Sequence, residues 1–135
     1  MATELQLPTD QEPVLRVIPM PADTNASGDI FGGWLMSQVD LSASVIAARR
    51  ARGRVATVAV NSFTFKKPVY VADLVSFYAD LVEVGTTSIT IEVKVYAERG
   101  WRSSHPGDIV LVTDATLVYV AIDENGQKRV VPPER

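Results

Sequence analysis

The chain has 135 residues, the length of one domain, and 47% of them are hydrophobic and 21% charged, as in a folded globular protein. Its net charge of −3 argues against a general nucleic-acid binder, since such domains are strongly basic. The absence of cysteine excludes disulfides, a thiol nucleophile and thiolate metal sites. The single histidine, His105, excludes a multi-histidine metal site within one chain. We therefore expect no metal and no nucleic-acid partner. The sequence contains no P-loop and no glycine-rich dinucleotide-binding motif, and we expect no cofactor.

The N-terminal residues predict an arm rather than part of the folded domain. Residues 1–12 are polar and end at Pro13, so we expect a flexible arm over 1–12 and a single domain over 13–135. The first residues lack the basic and apolar regions of a signal peptide. No apolar run approaches the roughly 18 residues that a membrane span needs. These features predict a cytoplasmic protein without membrane insertion.

The rest of the chain predicts one strand, one helix and then four strands. The helix is expected from Ile30 to about Arg52, because basic residues and Gly53 mark its C-terminal end. The strands are expected at Val14–Met20, Val55–Lys66, Asp73–Val84, Thr86–Glu98 and Ile109–Ile122. Short connections between the late strands favour antiparallel pairing, and only the helix is able to cover one face of the sheet. The fold class is therefore α+β, an antiparallel sheet wrapped around one long central helix.

Asp40 is a carboxylate in the middle of a helix that is apolar on most of its circumference. Burial of a lone carboxylate is costly, so Asp40 is either paired, exposed or functional. The residues three, four and seven positions away are small apart from one methionine, and they predict a shallow trough with Asp40 in its floor: Gly33, Met36, Ser37, Ala43, Ser44 and Ala47. The alternative interpretation is an ordinary solvent-facing stripe.

The segment before the helix favours a functional interpretation of Asp40. Gly32 and Gly33 fall in the first helical turn, where backbone N–H groups have no partner within the helix and the helix dipole is positive. Such a turn is suited to hold the oxyanion of a carbonyl under attack. Asn25 lies just upstream and is able to donate or accept a hydrogen bond. Tight packing of the glycines and a turn role for Asn25 are the structural alternatives.

These residues resemble the signature of bacterial YciA-type acyl-CoA thioesterases, which have the hotdog fold. The segments that carry the resemblance are Met20–Asn25, Gly28–Gln38, Asp40, Gly53–Val55, Phe65–Val69 and Gly85–Ser88. The resemblance extends from residue 13 to the tail. It implies a homodimer with two active sites at the interface, assembled as a trimer of dimers, and a substrate that carries coenzyme A (CoA).

The resemblance also implies a role for each matching residue. Asp40 is the catalytic carboxylate, Asn25 acts with Asp40 of the partner subunit, and Gly33 with its neighbour Gly32 polarises the thioester carbonyl. The expected substrate-binding residues are Phe31, Gly32, Ser37, Lys66, Lys67, Gly85, Thr86, Thr87 and Ser88. The lysines and the backbone amides of the 85–88 turn are suited to the CoA phosphates.

The expected reaction is hydrolysis of acyl-CoA to a free acid and CoA. Asp40 either activates a water as a general base or attacks the carbonyl as a nucleophile, and the sequence leaves both routes open. A non-catalytic acyl-CoA-binding module is the alternative function, although such a module has no need of Asn25 and Asp40 together. A hydratase of the same fold has less support, because the only histidine lies in a loop.

Overall fold

The computed structural model describes residues 5–134 and shows one helix packed against one five-stranded sheet. The helix, α1, spans Gly32–Ala51. The strands are β1 Leu15–Val17, β2 Val55–Phe65, β3 Leu74–Val84, β4 Ser88–Glu98 and β5 Ile109–Ala121. All pairings are antiparallel, in the spatial order β1-β3-β4-β5-β2. The predicted element order, fold class and four long strands are confirmed.

The N-terminal part of the predicted pattern needs one correction. The edge strand is only three residues long, whereas the sequence predicted Val14–Met20. Pro19 ends its pairing, because proline has no backbone N–H to donate, and Pro21 begins a single 3₁₀ turn over Pro21–Asp23. The predicted arm over residues 1–12 falls partly outside the described residues, and its flexibility stays a prediction.

The helix begins two residues later and ends one residue earlier than expected. Ile30 forms an isolated bridge with Thr24, so the helix starts at Gly32. At the other end Arg52, rather than the expected Gly53, takes the left-handed conformation with φ of 50°. The guanidinium of Arg129 donates to the Ala51 carbonyl at 2.8 Å and satisfies one of the free carbonyls at this end.

The core lies between α1 and the inner face of the sheet. The helix buries a stripe at four-residue spacing, Leu35, Val39, Ala43, Ala47 and Ala51. Alternate residues of the central strands face this stripe and are fully buried, among them Ile89, Ile91, Val93, Val95, Ala115 and Leu117. Since three of the helix residues are alanines, the helix backbone approaches the sheet closely in its second half.

Strand β2 forms one edge of the sheet, and the three-residue strand β1 forms the other. Among the described residues β2 pairs only with β5, and its apolar side chains Val58, Val60 and Phe65 are each 46–54% exposed. An exposed apolar edge strand is a place where another chain is able to pair. Within residues 5–134, no helix combines the length and the hydropathy that crossing a lipid bilayer requires.

Candidate active site

Asp40 is held at the junction of the helix and the sheet by two hydroxyl groups. Its Oδ1 accepts a hydrogen bond from Thr57 Oγ1 at 2.8 Å and another from Tyr119 Oη at 2.6 Å. The Tyr119 hydroxyl also lies 2.8 Å from the backbone carbonyl oxygen of Asp40. Asp40 is half-buried, and no described residue donates a hydrogen bond to its Oδ2. One carboxylate oxygen is therefore anchored, and the other has no hydrogen-bond donor among the described residues.

The strand register explains why these two hydroxyls meet at one carboxylate. Thr57 on β2 and Tyr119 on β5 are direct cross-strand partners, and β2 bulges immediately after Thr57. Tyr119 continues the inward row of β5 and is 1% exposed, whereas Thr57 is exposed. Burial raises the pKa of the Tyr119 hydroxyl well above its ordinary value, and the hydrogen bond to Asp40 and its charge add to this. Tyr119 is therefore a permanent donor.

Thr57 and Tyr119 are the site residues that the sequence reasoning missed. The available signal was the alternation of β5, which places Tyr119 on the buried face and requires a partner for its hydroxyl. Asp40 is the only carboxylate on the helix that covers this face. Together these two observations would have suggested that Tyr119 donates a hydrogen bond to Asp40.

The first turn of α1 is open, as the sequence predicted. Phe31 precedes the helix and provides no side-chain cap. Among the described residues, no backbone carbonyl outside the helix accepts from the N–H of Gly32 or Gly33. A Cβ on Gly33 would meet nothing within 4 Å, whereas one on Gly32 would lie 3.1 Å from the ring of Phe65. A side chain at position 32 would therefore crowd the Phe65 ring, and Gly33 leaves the approach to the helix end unobstructed.

A cleft of about 410 Å³ lies beside this helix end. It is mostly apolar, and its lining is Ile30, Phe31, Gly32, Leu35, Phe65, Lys66, Lys67, Pro68 and Val69. Four predicted substrate-binding residues, Phe31, Gly32, Lys66 and Lys67, therefore come together here. The Lys66 ammonium lies 3.4 Å from Asp114, and both side chains are about two-fifths exposed, so this pair contributes little to stability. The positive charge of Lys66 therefore remains accessible to a ligand.

Asn25 lies in the loop that leads into the helix and is half-buried. Its Oδ1 accepts the backbone N–H groups of Ser27 and Asp29 at 2.9 and 3.1 Å. These bonds make it a turn residue, which was the structural alternative. No described residue accepts a hydrogen bond from its amide nitrogen. The side chain is therefore free to act on a ligand as a donor.

The remaining predicted residues are dispersed. The 85–88 turn, with Gly85, Thr86, Thr87 and Ser88, lies at the end of the sheet opposite the cleft, because Ser88 pairs with Val120 whereas the cleft lies beside Phe65.

The trough predicted around Asp40 is only half present. Gly33 and Ser37 are exposed, but Ala43 and Ala47 are fully buried in the core.

Two other expectations concern metals and histidine. Residues 5–134 contain no group of three or more His, Cys, Asp or Glu side chains suited to hold a metal ion. His105 is exposed in the loop between β4 and β5, where its Nδ1 lies 3.1 Å from the Ser104 hydroxyl. It contributes nothing to the surroundings of Asp40 in this chain.

Comparison with known proteins places these features in context. Residues 27–104 match a family described as the thioesterase superfamily. The acyl-CoA thioester hydrolase YciA of Escherichia coli K12 is 48% identical over 122 residues, which cover 90% of this chain and 91% of that protein. The hexameric broad-specificity acyl-coenzyme A thioesterase HI0827 superposes with a TM-score of 0.86 at 46% identity, over 92% of this chain and 83% of that one. Cj0915, a hexameric hotdog-fold thioesterase of Campylobacter jejuni, gives 0.86 at 38% identity over 93% of both chains.

Proposed function

This chain belongs to the thioesterase superfamily and has the hotdog fold, and from that premise we propose that it hydrolyses acyl-CoA to a carboxylic acid and free CoA. The observation that carries the proposal is the state of Asp40, whose Oδ1 is anchored by two hydroxyls while its Oδ2 has no partner among the described residues. A carboxylate in this state has one oxygen, Oδ2, available for one chemical task, either as a base or as a nucleophile. The named activities of YciA and HI0827 support thioester hydrolysis as that task.

The geometry of the helix favours an active site built from two chains. Gly33 and Asp40 are seven residues apart on α1, which is about 10 Å along a helix. A single thioester carbonyl is too small to contact both the N–H of Gly33 and the carboxylate of Asp40 across that distance. We therefore infer that Asp40 acts on a substrate whose carbonyl is held by Gly32, Gly33 and Asn25 of the partner subunit.

In this arrangement the open first turn supplies the oxyanion hole. The N–H of Gly33, reinforced by the helix dipole, donates to the carbonyl oxygen as negative charge develops there. The free amide N–H of Asn25 donates to the thioester or to the attacking water. Both roles follow from donors that lack an acceptor among the described residues.

Asp40 Oδ2 is the reacting atom in both routes that the sequence left open. As a general base it removes a proton from water, which attacks the thioester carbon while the CoA thiolate leaves and takes up a proton. As a nucleophile it attacks the same carbon and forms a mixed anhydride, which water then hydrolyses. A single turnover in heavy-oxygen water, followed by mass spectrometry, tests the nucleophilic route. Label in Asp40 would establish an anhydride that water attacks at the Asp40 carbonyl, whereas direct attack on the thioester, or attack on the acyl carbonyl of the anhydride, labels only the released acid.

The cleft at the helix end is the proposed binding site for the acyl chain. Its volume of about 410 Å³ and its apolar lining suit a hydrocarbon segment, and Ser37 lies one turn before Asp40 on the same helix. We assign Lys66 and Lys67, which line the same cleft, to the CoA phosphates. The 85–88 turn, from Gly85 to Ser88, lies near the Asp40 end of the sheet rather than at this cleft. We assign it to the CoA part of a substrate that spans two chains.

We propose a homodimer, arranged further as a trimer of dimers, as the working assembly. The free β2 edge with its exposed apolar side chains supports pairing with a second copy, and HI0827 and Cj0915 are hexamers. A cytoplasmic location, action without a cofactor and the absence of a nucleic-acid partner are proposals that rest on the sequence.

The direct test is release of CoA from short, medium and long acyl-CoAs, followed with a thiol reagent. The chain contains no cysteine, so the protein gives no background in this assay. We expect turnover. The acyl chain length that gives the highest kcat/KM would indicate which length of hydrocarbon fits the cleft best. Tight binding of acyl-CoA without release of CoA would replace this proposal with the acyl-CoA-binding module.

A further inference from the structure

We propose that Tyr119 is a positioning residue, whose hydroxyl fixes the Asp40 carboxylate so that Oδ2 faces the substrate. The inference rests on the proposed function, in that Asp40 must be the reacting group. The Tyr119 hydroxyl lies 2.6 Å from Oδ1 of Asp40 and 2.8 Å from the backbone carbonyl oxygen of Asp40. Tyr119 thus contacts both the side chain and the main chain of Asp40.

The hydroxyl of Tyr119 is not explained by the needs of the core. The residues two positions away on the same face of β5, Leu117 and Ala121, are apolar and buried, and so is the cross-strand neighbour Ile89. A phenylalanine would fill this position with nearly the same shape. A buried phenol hydroxyl needs a hydrogen-bond partner, and its contacts at 2.6 and 2.8 Å are both with Asp40, while Thr57 also lies against it.

The distances indicate which bond dominates. A phenol has one proton, and a separation of 2.6 Å is typical of a hydroxyl that donates to a charged oxygen, the stronger class of hydrogen bond. Burial raises the pKa of Tyr119, so it stays protonated and donates throughout the neutral range. The bond from Thr57 to the same oxygen comes from an exposed side chain and competes with water. Tyr119 is therefore the steadier of the two anchors.

This anchoring has a consequence for the reaction. Free rotation of an aspartate side chain exchanges its two oxygens and moves them relative to the substrate. Fixing Oδ1 from the sheet side removes this freedom before substrate binds, and a small displacement of a catalytic group is enough to reduce the rate strongly. Loss of the hydroxyl should lower kcat and leave the apolar cleft, and hence KM, nearly unchanged.

The test compares Tyr119→Phe with Asp40→Asn and with the double variant, using acyl-CoA turnover by the full-length protein. We expect kcat of Tyr119→Phe to fall about tenfold to a hundredfold with little change in KM, as for loss of a hydrogen bond to a charged group. In the Asp40→Asn background the same substitution should cause no further loss, because the two residues act as one unit. Thermal unfolding and oligomeric state of each variant check that the fold is retained.

Tyr78→Phe is the matched control. Tyr78 is also buried, at 2% exposure, and its hydroxyl lies 3.5 Å from Arg16 near the N-terminal segment. We expect it to keep full activity. Unchanged kcat in Tyr119→Phe alongside an inactive Asp40→Asn would overturn the positioning role alone, as would additive losses in the double variant. Full activity of Asp40→Asn would overturn the catalytic role of Asp40 and the positioning role with it, whereas binding of acyl-CoA without CoA release by the unmodified protein would overturn the proposed function itself.

Discussion

An active site shared between two chains predicts that two inactive variants restore each other. Asp40→Asn removes the reacting carboxylate but keeps an oxygen for the hydroxyls of Thr57 and Tyr119. Asn25→Asp removes the amide donor but keeps the Oδ1 that accepts from Ser27 and Asp29, so the turn is preserved. Each variant alone should be folded and nearly inactive, since every site lacks one of the two groups.

The expected recovery follows from counting sites. After random subunit exchange in an equal mixture, half of the dimers contain one chain of each kind. In such a dimer one site has both Asp40 and Asn25 intact and the other has neither, so about a quarter of all sites are functional. The mixture should therefore recover about a quarter of the activity of the unmodified protein.

The assay is CoA release after the two variants, carrying different affinity tags, have been exchanged under mild denaturant and refolded. Isolation through both tags in succession confirms that mixed assemblies have formed. If mixed assemblies form and their activity does not exceed that of the separate variants, the two-chain site is refuted. In that case Gly33 and Asp40 of one chain would have to act on the same thioester across their separation of about 10 Å.

Two further predictions concern packing. Asp73 is 2% exposed and lies 2.7 Å from the guanidinium of Arg99, whose side chain is 11% exposed, so Asp73→Asn should lower the free energy of unfolding by about 3 kcal/mol, because it removes the counter-charge of a largely buried cation. Urea unfolding measures this, and a loss below 1 kcal/mol would contradict it. Gly32→Ala should raise KM for acyl-CoA because its Cβ would lie 3.1 Å from the ring of Phe65, which lines the cleft and would have to move. A KM equal to that of the unmodified protein would argue against this cleft as the acyl site.

The sequence predicted the elements well where a local pattern determines them. Alternation along residues 86–98 and the glycine after the helix need only neighbouring residues, so the long strands and α1 were placed within two residues. The edge strand was predicted too long, because its length depends on where pairing with β3 stops rather than on its own apolar run. Pro19 sets that limit.

The surroundings of Asp40 depended on contacts that no local pattern contains. Tyr119 is 79 positions away, and it meets Asp40 only because β5 lies between β4 and β2 and carries this side chain inward. The predicted trough failed at Ala43 and Ala47 for a related reason. Small residues mark a surface that is approached closely, but they do not say whether a sheet of the same chain or another molecule approaches it.

The central claim is that Asp40 performs the chemistry, and the most direct measurement is the rate of CoA release by Asp40→Asn beside the unmodified protein. The control is Asp80→Asn, which changes an exposed aspartate on β3. We expect kcat of Asp40→Asn to fall by about a hundredfold to ten-thousandfold while CoA binding is retained, and Asp80→Asn to have no effect. An Asp40→Asn variant that releases CoA at the unmodified rate would contradict the account.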